Sequence, residues 1–245
     1  MKIVEHKNPN DLVLDPPTFN CDKPLVKRDI SPFENKSFFT VYAGCAGAGK
    51  TSTVIASLTN KKIYRKAFHN VFIVMPRTSR ASLKKDPFQY LKQSNIYDEL
   101  DYETLLSIYE KITDQTCDED GNYDNNLLVV DDMTQFLKSN IIQKTLNNLI
   151  LNRRHLHLSI CLMVQYWNSI PLCLRKNVSS VVLCNRPTNK SESDNIIDEL
   201  LHLDRKKAEA LINYTFKKQF DKLFVTIEPL RFYKNMNRLT FDEPE

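Results

Sequence analysis

Residues 44–51 read Gly44-Cys45-Ala46-Gly47-Ala48-Gly49-Lys50-Thr51 and fit the pattern GxxxxGK[ST] at every fixed position. Each fixed residue answers a physical demand. Glycines let the backbone turn so that several N–H groups point inward at a β-phosphate, and the helix that follows presents its positive end to the same place. Lys50 has the reach and charge to meet the β- and γ-phosphates, and the Thr51 hydroxyl is suited to ligate Mg²⁺. Ser52 extends the nucleotide-binding set to residues 44–52. The whole chain has 4 glycines, and three of them stand in this loop, so a glycine-rich composition does not explain the match. ATP and Mg²⁺ are the expected cofactors.

The flanks supply the context that the motif requires. Ser37 to Ala43 (SFFTVYA) reads as a strand, and the helix after the loop is expected from Lys50 to about Leu58. Further strands are predicted at 70–75 (NVFIVM), 127–130 (LLVV), 158–164 (LSICLMV), 179–183 (SSVVL) and 222–227 (KLFVTI). Continuous apolar runs separated by helical stretches indicate an α/β fold of the P-loop NTPase class, a mainly parallel sheet covered by helices on both faces. Between the strands at 127–130 and 158–164, Met133, Phe136, Leu137, Ile141, Ile142, Leu146, Leu149 and Ile150 recur at helical spacing and predict one amphipathic core helix. Residues 191–203 predict another, with Ser191 as its cap. Residues 1–36, rich in Pro, Asp and Asn, read as an extended arm. Residues 37–245 read as a single ATPase domain with a C-terminal extension from about 186.

The strand at 127–130 ends in Asp131 and Asp132. Asp131 is expected to hold Mg²⁺ with Thr51, and Asp132 to orient and polarise the attacking water. The alternative is that one carboxylate only caps the following helix. The strand at 158–164 ends at Gln165, where a polar side chain would sense the γ-phosphate or the water; a buried structural amide is the alternative. This order suits the P-loop class that has an extra strand between the loop strand and the acidic strand.

Composition narrows the rest. Hydrophobic residues make up 42% and charged residues 26% of the 245 positions, an ordinary globular balance. No apolar run reaches the ~18 residues needed to span a bilayer, so a soluble chain without a membrane partner is expected. The 6 cysteines form no CxxC pair and read as reduced thiols, and His155 and His157 lack a third ligand nearby. The net charge of +4 hides a strong segregation. Bases dominate from Lys61 to Lys92 and acids from Asp98 to Asp124, which suggests one surface suited to a polyanion and another that repels it. Arg77, Arg80, Lys84 and Lys85, just after the second strand, are the candidate contacts to DNA phosphates, which position a duplex without reading its sequence. Two solvated faces are the plainer alternative.

These residues resemble a family. The phosphate loop, the strand ending in Asp131-Asp132, Arg153-Arg154-His155, the strand ending in Gln165, Pro171 and Arg175-Lys176-Asn177 occur in an order similar to the FtsK–HerA superfamily of DNA-pumping ATPases. The acidic pair and the segment MVQYWNSIPLCLRKN look most like the genome-packaging ATPases of nucleocytoplasmic large DNA viruses and virophages. The resemblance covers roughly residues 38–185. It implies a homo-oligomeric ring that hydrolyses ATP to translocate double-stranded DNA into a preformed capsid. A capsid or portal-vertex protein would be its partner, and it would act at viral assembly sites in the host cytoplasm or in association with the virion. It also implies an arginine that reaches a neighbour's γ-phosphate, with Arg154 the first candidate by position and Arg175 the second.

Rival readings separate on particular residues. A GTPase would carry glycine where Thr134 stands, and a nucleotide kinase would not need the acidic pair with a Gln-ended extra strand. A ring helicase or replication-associated ATPase shares everything up to His155. A nucleotide-gated assembly protein would need little of the hydrolytic machinery.

Overall fold

The computed structural model describes residues 21, 23–83, 88, 90–119 and 121–241. In chain order these form β1 (Phe39–Ala43), α1 (Lys50–Thr59), β2 (Asn70–Val74), α2 (Arg77–Ala81), β3 (Ile96–Tyr97), α3 (Tyr102–Thr113), β4 (Asn126–Asp131), α4 (Asn140–Asn152) and β5 (Leu158–Val164). There follow α5 (Leu172–Arg175), β6 (Ser180–Leu183), α6 (Lys190–Ile196), α7 (Arg205–Thr215), β7 (Leu223–Ile227), β8 (Leu230–Lys234) and β9 (Asn237–Leu239).

The strands form a single sheet in the order β3-β2-β4-β5-β1-β6-β7-β8-β9. Pairing is parallel from β3 through β6 and antiparallel from β6 through β9. Alternation explains the unbroken apolar runs. Phe39, Val41 and Ala43 of β1, with Ile160, Leu162 and Val164 of β5, enter one core cluster. Tyr42, Cys161 and Met163 enter the cluster on the opposite face. A strand buried on both faces cannot alternate polar with apolar residues. Two of the buried thiols sit in this setting: burial pushes Cys161 up to about 12 and Cys184 up to about 11.

β5 lies between β1 and β4, as the motif order predicts. The register brings Ala43 level with Val164, and the Gly44 N–H donates to the Val164 carbonyl at 3.1 Å. The phosphate loop therefore leaves the sheet at the same edge as Asp131 and Gln165.

Three expectations are corrected. The helix expected from Met133 onward is split into a 3-10 turn over Thr134–Lys138 and then α4, because Ser139 is extended (φ −72°, ψ 124°). The helix expected at 191–203 begins one residue earlier. Asn189 caps it by accepting from the Glu192 N–H at 2.7 Å, and it closes in a π turn over Ile197–Leu201. The acidic stretch, read only as charge, contains α3, capped by Asp101, which accepts from the Thr104 N–H at 2.7 Å. Residues 23–36 pack on the core. Ile30 is buried, and Phe33 packs edge-on against Tyr64 and Phe224.

Candidate active site

The loop after β1 turns through two left-handed glycines, Gly47 (φ 77°) and Gly49 (φ 85°), the latter standing at the N-terminus of α1. Gly44 answers a different demand. A Cβ there would stand 2.7 Å from the Asn185 side-chain oxygen and 3.0 Å from Cys184 Cβ. The close approach is used: the Cys45 N–H donates to Asn185 Oδ1 at 2.7 Å. Asn185, the second residue after β6, thus pins the loop from the side away from the acidic strand. The Lys50 ammonium is held at the centre of the loop, donating to the carbonyls of Gly44 (2.6 Å) and Cys45 (3.0 Å).

A cleft of about 200 Å³ opens beside the loop, lined by Gly47, Lys50, Thr51, Asp131, Asp132 and Gln165 among others. The Thr51 hydroxyl donates to Asp131 Oδ2 at 2.5 Å. Asp131 is 6% exposed. Burial raises its carboxyl above the usual range, while the Thr51 hydrogen bond and Lys50 pull it back. A buried carboxylate against a hydroxyl is a set of hard oxygen donors that suits Mg²⁺. That ion is commonly held by one or two carboxylates, with substrate phosphates and water completing the octahedron. Among the described residues no group of three or more His, Cys, Asp or Glu is arranged to hold a metal, so no all-protein cage competes with this pair.

Asp132 is exposed to the cleft and adopts the left-handed region (φ 58°). That conformation costs little for Asp and turns its carboxylate away from the strand. Ser79 of α2 fixes it, donating to Asp132 Oδ2 at 3.0 Å. The carboxylate does not cap the following turn, whose N-terminus makes no side-chain cap bond. Gln165 is exposed and lines the cleft, so its amide is not a buried structural group.

The segment after Gln165 is firmly anchored. Trp167 is buried, its N–H donates to Glu192 Oε1 at 2.7 Å, and its indole N–H donates to Glu199 Oε2 at 3.2 Å. Arg175 pairs with the same Glu199 oxygen at 2.9 Å and lies over the Trp167 ring, 5.8 Å from its centroid. The second candidate for an arginine acting between subunits is therefore engaged inside its own subunit, with a side chain only 13% exposed. Arg154 is exposed and precedes β5. The 7 residues of β5 separate it from the phosphate loop by about 23 Å, beyond reach of its own subunit's site.

Of the candidate DNA contacts, Arg77 is exposed at the start of α2. Arg80 is not part of a free basic face: its side chain is 15% exposed and pairs with Asp98 at 3.2 Å, tying the basic stretch to the acidic one. Lys84 and Lys85 lie outside the described residues.

Sequence reading missed Asn185 and Ser79. Asn185 carried a signal of the kind that marked Gln165, a polar residue just past the end of an apolar strand. Ser79 carried none, because only the fold brings α2 to Asp132.

A phosphate loop on a mainly parallel sheet, the Thr51 hydroxyl against buried Asp131 and a second carboxylate facing the same cleft define a P-loop ATPase. The chain belongs to the family described as the poxvirus A32 protein, whose model matches residues 26–243. Comparison with curated proteins finds no match. Among solved structures it is similar to B204, the DNA-packaging ATPase from Sulfolobus Turreted Icosahedral Virus. There the TM-score is 0.61 at 13% identity, over 82% of this chain and 97% of that one. The genome packaging NTPase B204 from Sulfolobus turreted icosahedral virus 2, in complex with ATP-gammaS, gives 0.57 at 14% identity over 83% and 98%. The cytoplasmic domain of the type VII secretion ATPase EccC from Thermomonospora curvata gives 0.53 at 14% identity, over 84% of this chain but 24% of that one. At these identities the likeness establishes the fold.

Proposed function

We propose that this chain is a motor that hydrolyses ATP, as a ring of identical subunits, to translocate double-stranded DNA into a preformed viral capsid. The observation that carries the reading is the hydrolytic geometry itself. Thr51 against buried Asp131, with Asp132 and Gln165 facing the same cleft, equips the site for turnover and not only for binding. Membership of the A32 family supports packaging over the ring-helicase alternative, and turnover chemistry disfavours a nucleotide-gated scaffold.

When bound, Mg²⁺ would sit against Thr51 and Asp131 and neutralise charge on the β- and γ-phosphates. Lys50 binds the same phosphates, the loop N–H groups orient them, and Asp132 holds and polarises the attacking water, its angle set by Ser79. Gln165 touches the γ-phosphate or that water. Arg154 serves a neighbour's site, a role favoured by its exposure and its distance from its own. Arg77, Lys84 and Lys85 contact DNA phosphates, with Arg80 bracing their segment through Asp98. A capsid or portal-vertex protein docks the ring at viral assembly sites; among the described residues no helix is long and apolar enough to cross a membrane.

The test is the ATPase rate of the purified chain with and without double-stranded DNA, beside its oligomeric mass and its action on a forked duplex. Duplex DNA is expected to stimulate hydrolysis by a ring that leaves the fork paired. A rate indifferent to DNA would favour the scaffold, and an opened fork the helicase.

A further inference from the structure

A second cleft, of about 530 Å³, opens on the other side of the α1 N-terminus. It is lined by Gly49, Ser52, Phe220, Lys222, Asn235 and Met236 among others. The geometry points to this cleft as the cradle for the nucleoside half of ATP, with the Phe220 ring as the surface on which the base stacks. The inference rests on the ATPase reading above.

The direction of the triphosphate follows from the site. Asp131, Asp132 and Gln165, which belong with the γ-phosphate, all stand on the β4–β5 side of the loop. With the β-phosphate in the loop, the α-phosphate must leave on the opposite side, past Gly49 and Ser52, where β6 and β7 lie. The antiparallel edge reaches that same end of the sheet, because Leu183 of β6 pairs with Leu223 of β7 and Leu223 with Lys234 of β8.

The segment before β7 is built to hold an aromatic ring there. Phe220 is 54% exposed and sits in the left-handed region (φ 67°), an unfavourable conformation for a bulky residue. Such outliers persist where the surroundings over-determine them and cluster at functional sites. Here Asp221 does so. Its Oδ2 accepts from the N–H groups of Lys217 (3.2 Å) and Lys218 (2.9 Å) and pairs with Lys234 at 3.1 Å, and its Oδ1 accepts from Asn235 at 3.2 Å. Phe220 Cδ1 lies 3.6 Å, and the Lys222 ammonium 3.8 Å, from where a Cβ on Gly49 would stand. An exposed ring and a cation are thus held against the edge of the phosphate loop, the ring for a base and the cation for the α-phosphate. The Asn235 amide is committed, accepting from the Lys222 N–H and donating to Asp221, which leaves the Phe220 ring as the stacking surface on that wall of the cleft.

The experiment compares Mg-ATP with Mg-tripolyphosphate, which carries the phosphates without the nucleoside, on the full chain. Phe220→Ala is expected to weaken ATP about tenfold, within the range that base–aromatic stacking is worth. It should raise KM with kcat little changed and leave tripolyphosphate binding as in the wild type. Phe220→Trp should keep ATP affinity, and its added indole emission should respond to ATP but not to tripolyphosphate; the native chain has only 1 tryptophan, buried Trp167, as background. Unchanged ATP affinity in F220A, or equal weakening of both probes, would overturn the inference while leaving the ATPase reading intact. A wild-type chain that binds neither probe would overturn that reading and the inference with it.

Discussion

Asp131 and Asp132 are neighbours in sequence and opposites in environment. Asp131 is buried against Thr51, and its raised carboxyl means that the folded state holds a proton more tightly than the unfolded chain does. Stability therefore falls as pH rises from the ordinary carboxylate value through the raised one, and at neutral pH the charge is a net cost to the fold. Asp131→Asn is expected to raise the thermal midpoint while abolishing Mg²⁺-dependent turnover; a lowered midpoint would show that the charge supports the apo fold. Asp132 is exposed and held by Ser79, so Asp132→Asn should keep ATP affinity and lose most of kcat, whereas Lys50→Ala should lose tight binding, which equilibrium titration and turnover separate. The place of both carboxylates at a strand end beside the phosphate loop was legible in sequence. Their different exposure was not, because it depends on the left-handed turn at Asp132.

At the scale of elements, the segment that most resembled packaging ATPases divides into parts with different tasks. Gln165 faces the cleft, while Trp167 and Arg175 clamp the segment after β5 to Glu192 in α6 and to Glu199 in the π turn beyond it. Breaking a partly buried ion pair of this kind costs on the order of 2 kcal/mol, between the exposed and the fully buried cases. Arg175→Ala should therefore lower the melting temperature, whereas Arg154→Ala should bind ATP normally and fail to hydrolyse it. Rings mixed from Arg154→Ala and Lys50→Ala subunits should recover activity, and a mixture that stays inactive would count against action in trans. The stretch around α2 supplies another test. Each phosphate contact contributes about 0.9 to the salt slope on duplex DNA, so replacing Lys84 and Lys85 with alanine should flatten it by roughly two units for unrelated duplexes alike. A slope that does not change would return those lysines to a solvated face. Arg80 belonged to the same charge run in sequence, yet Asp98 draws it inward, since a charge run reports signs and not which members find partners.

Across the whole molecule, titration of the arm is the accessible signature. Burial pushes Glu34 from its ordinary 4.5 up to about 7, with Arg153 pulling it down. The folded state binds that proton more tightly, so the contribution of Glu34 is full below about 4.5 and is lost as pH rises toward 7. Glu34→Gln should flatten the thermal midpoint across that window; an unchanged pH profile would place the arm's stability elsewhere. Asp221 works in the other direction, held at about 2 chiefly by the Lys218 N–H, and its contribution is lost as pH falls from 3.8 toward 2. The windows do not overlap, so the two carboxyls are separable by titration.

By itself the sequence determined the phosphate loop, the strands that carry the acidic pair and Gln165, and hence the class of fold. These are local properties: glycine conformations, a strand that must be apolar on both faces, and polar residues where such a strand ends. Only the tertiary structure decided which charges stay available, where the helices after Asp132 and after Asn189 break, and that the segment entering β7 carries an aromatic ring back to the phosphate loop. Phe220 and Gly49 are 171 positions apart and meet because antiparallel pairing of β6, β7 and β8 returns the chain to the loop's end of the sheet. No periodicity or motif encodes that return, since it follows from which strand edges remain open for pairing once the parallel sheet has formed.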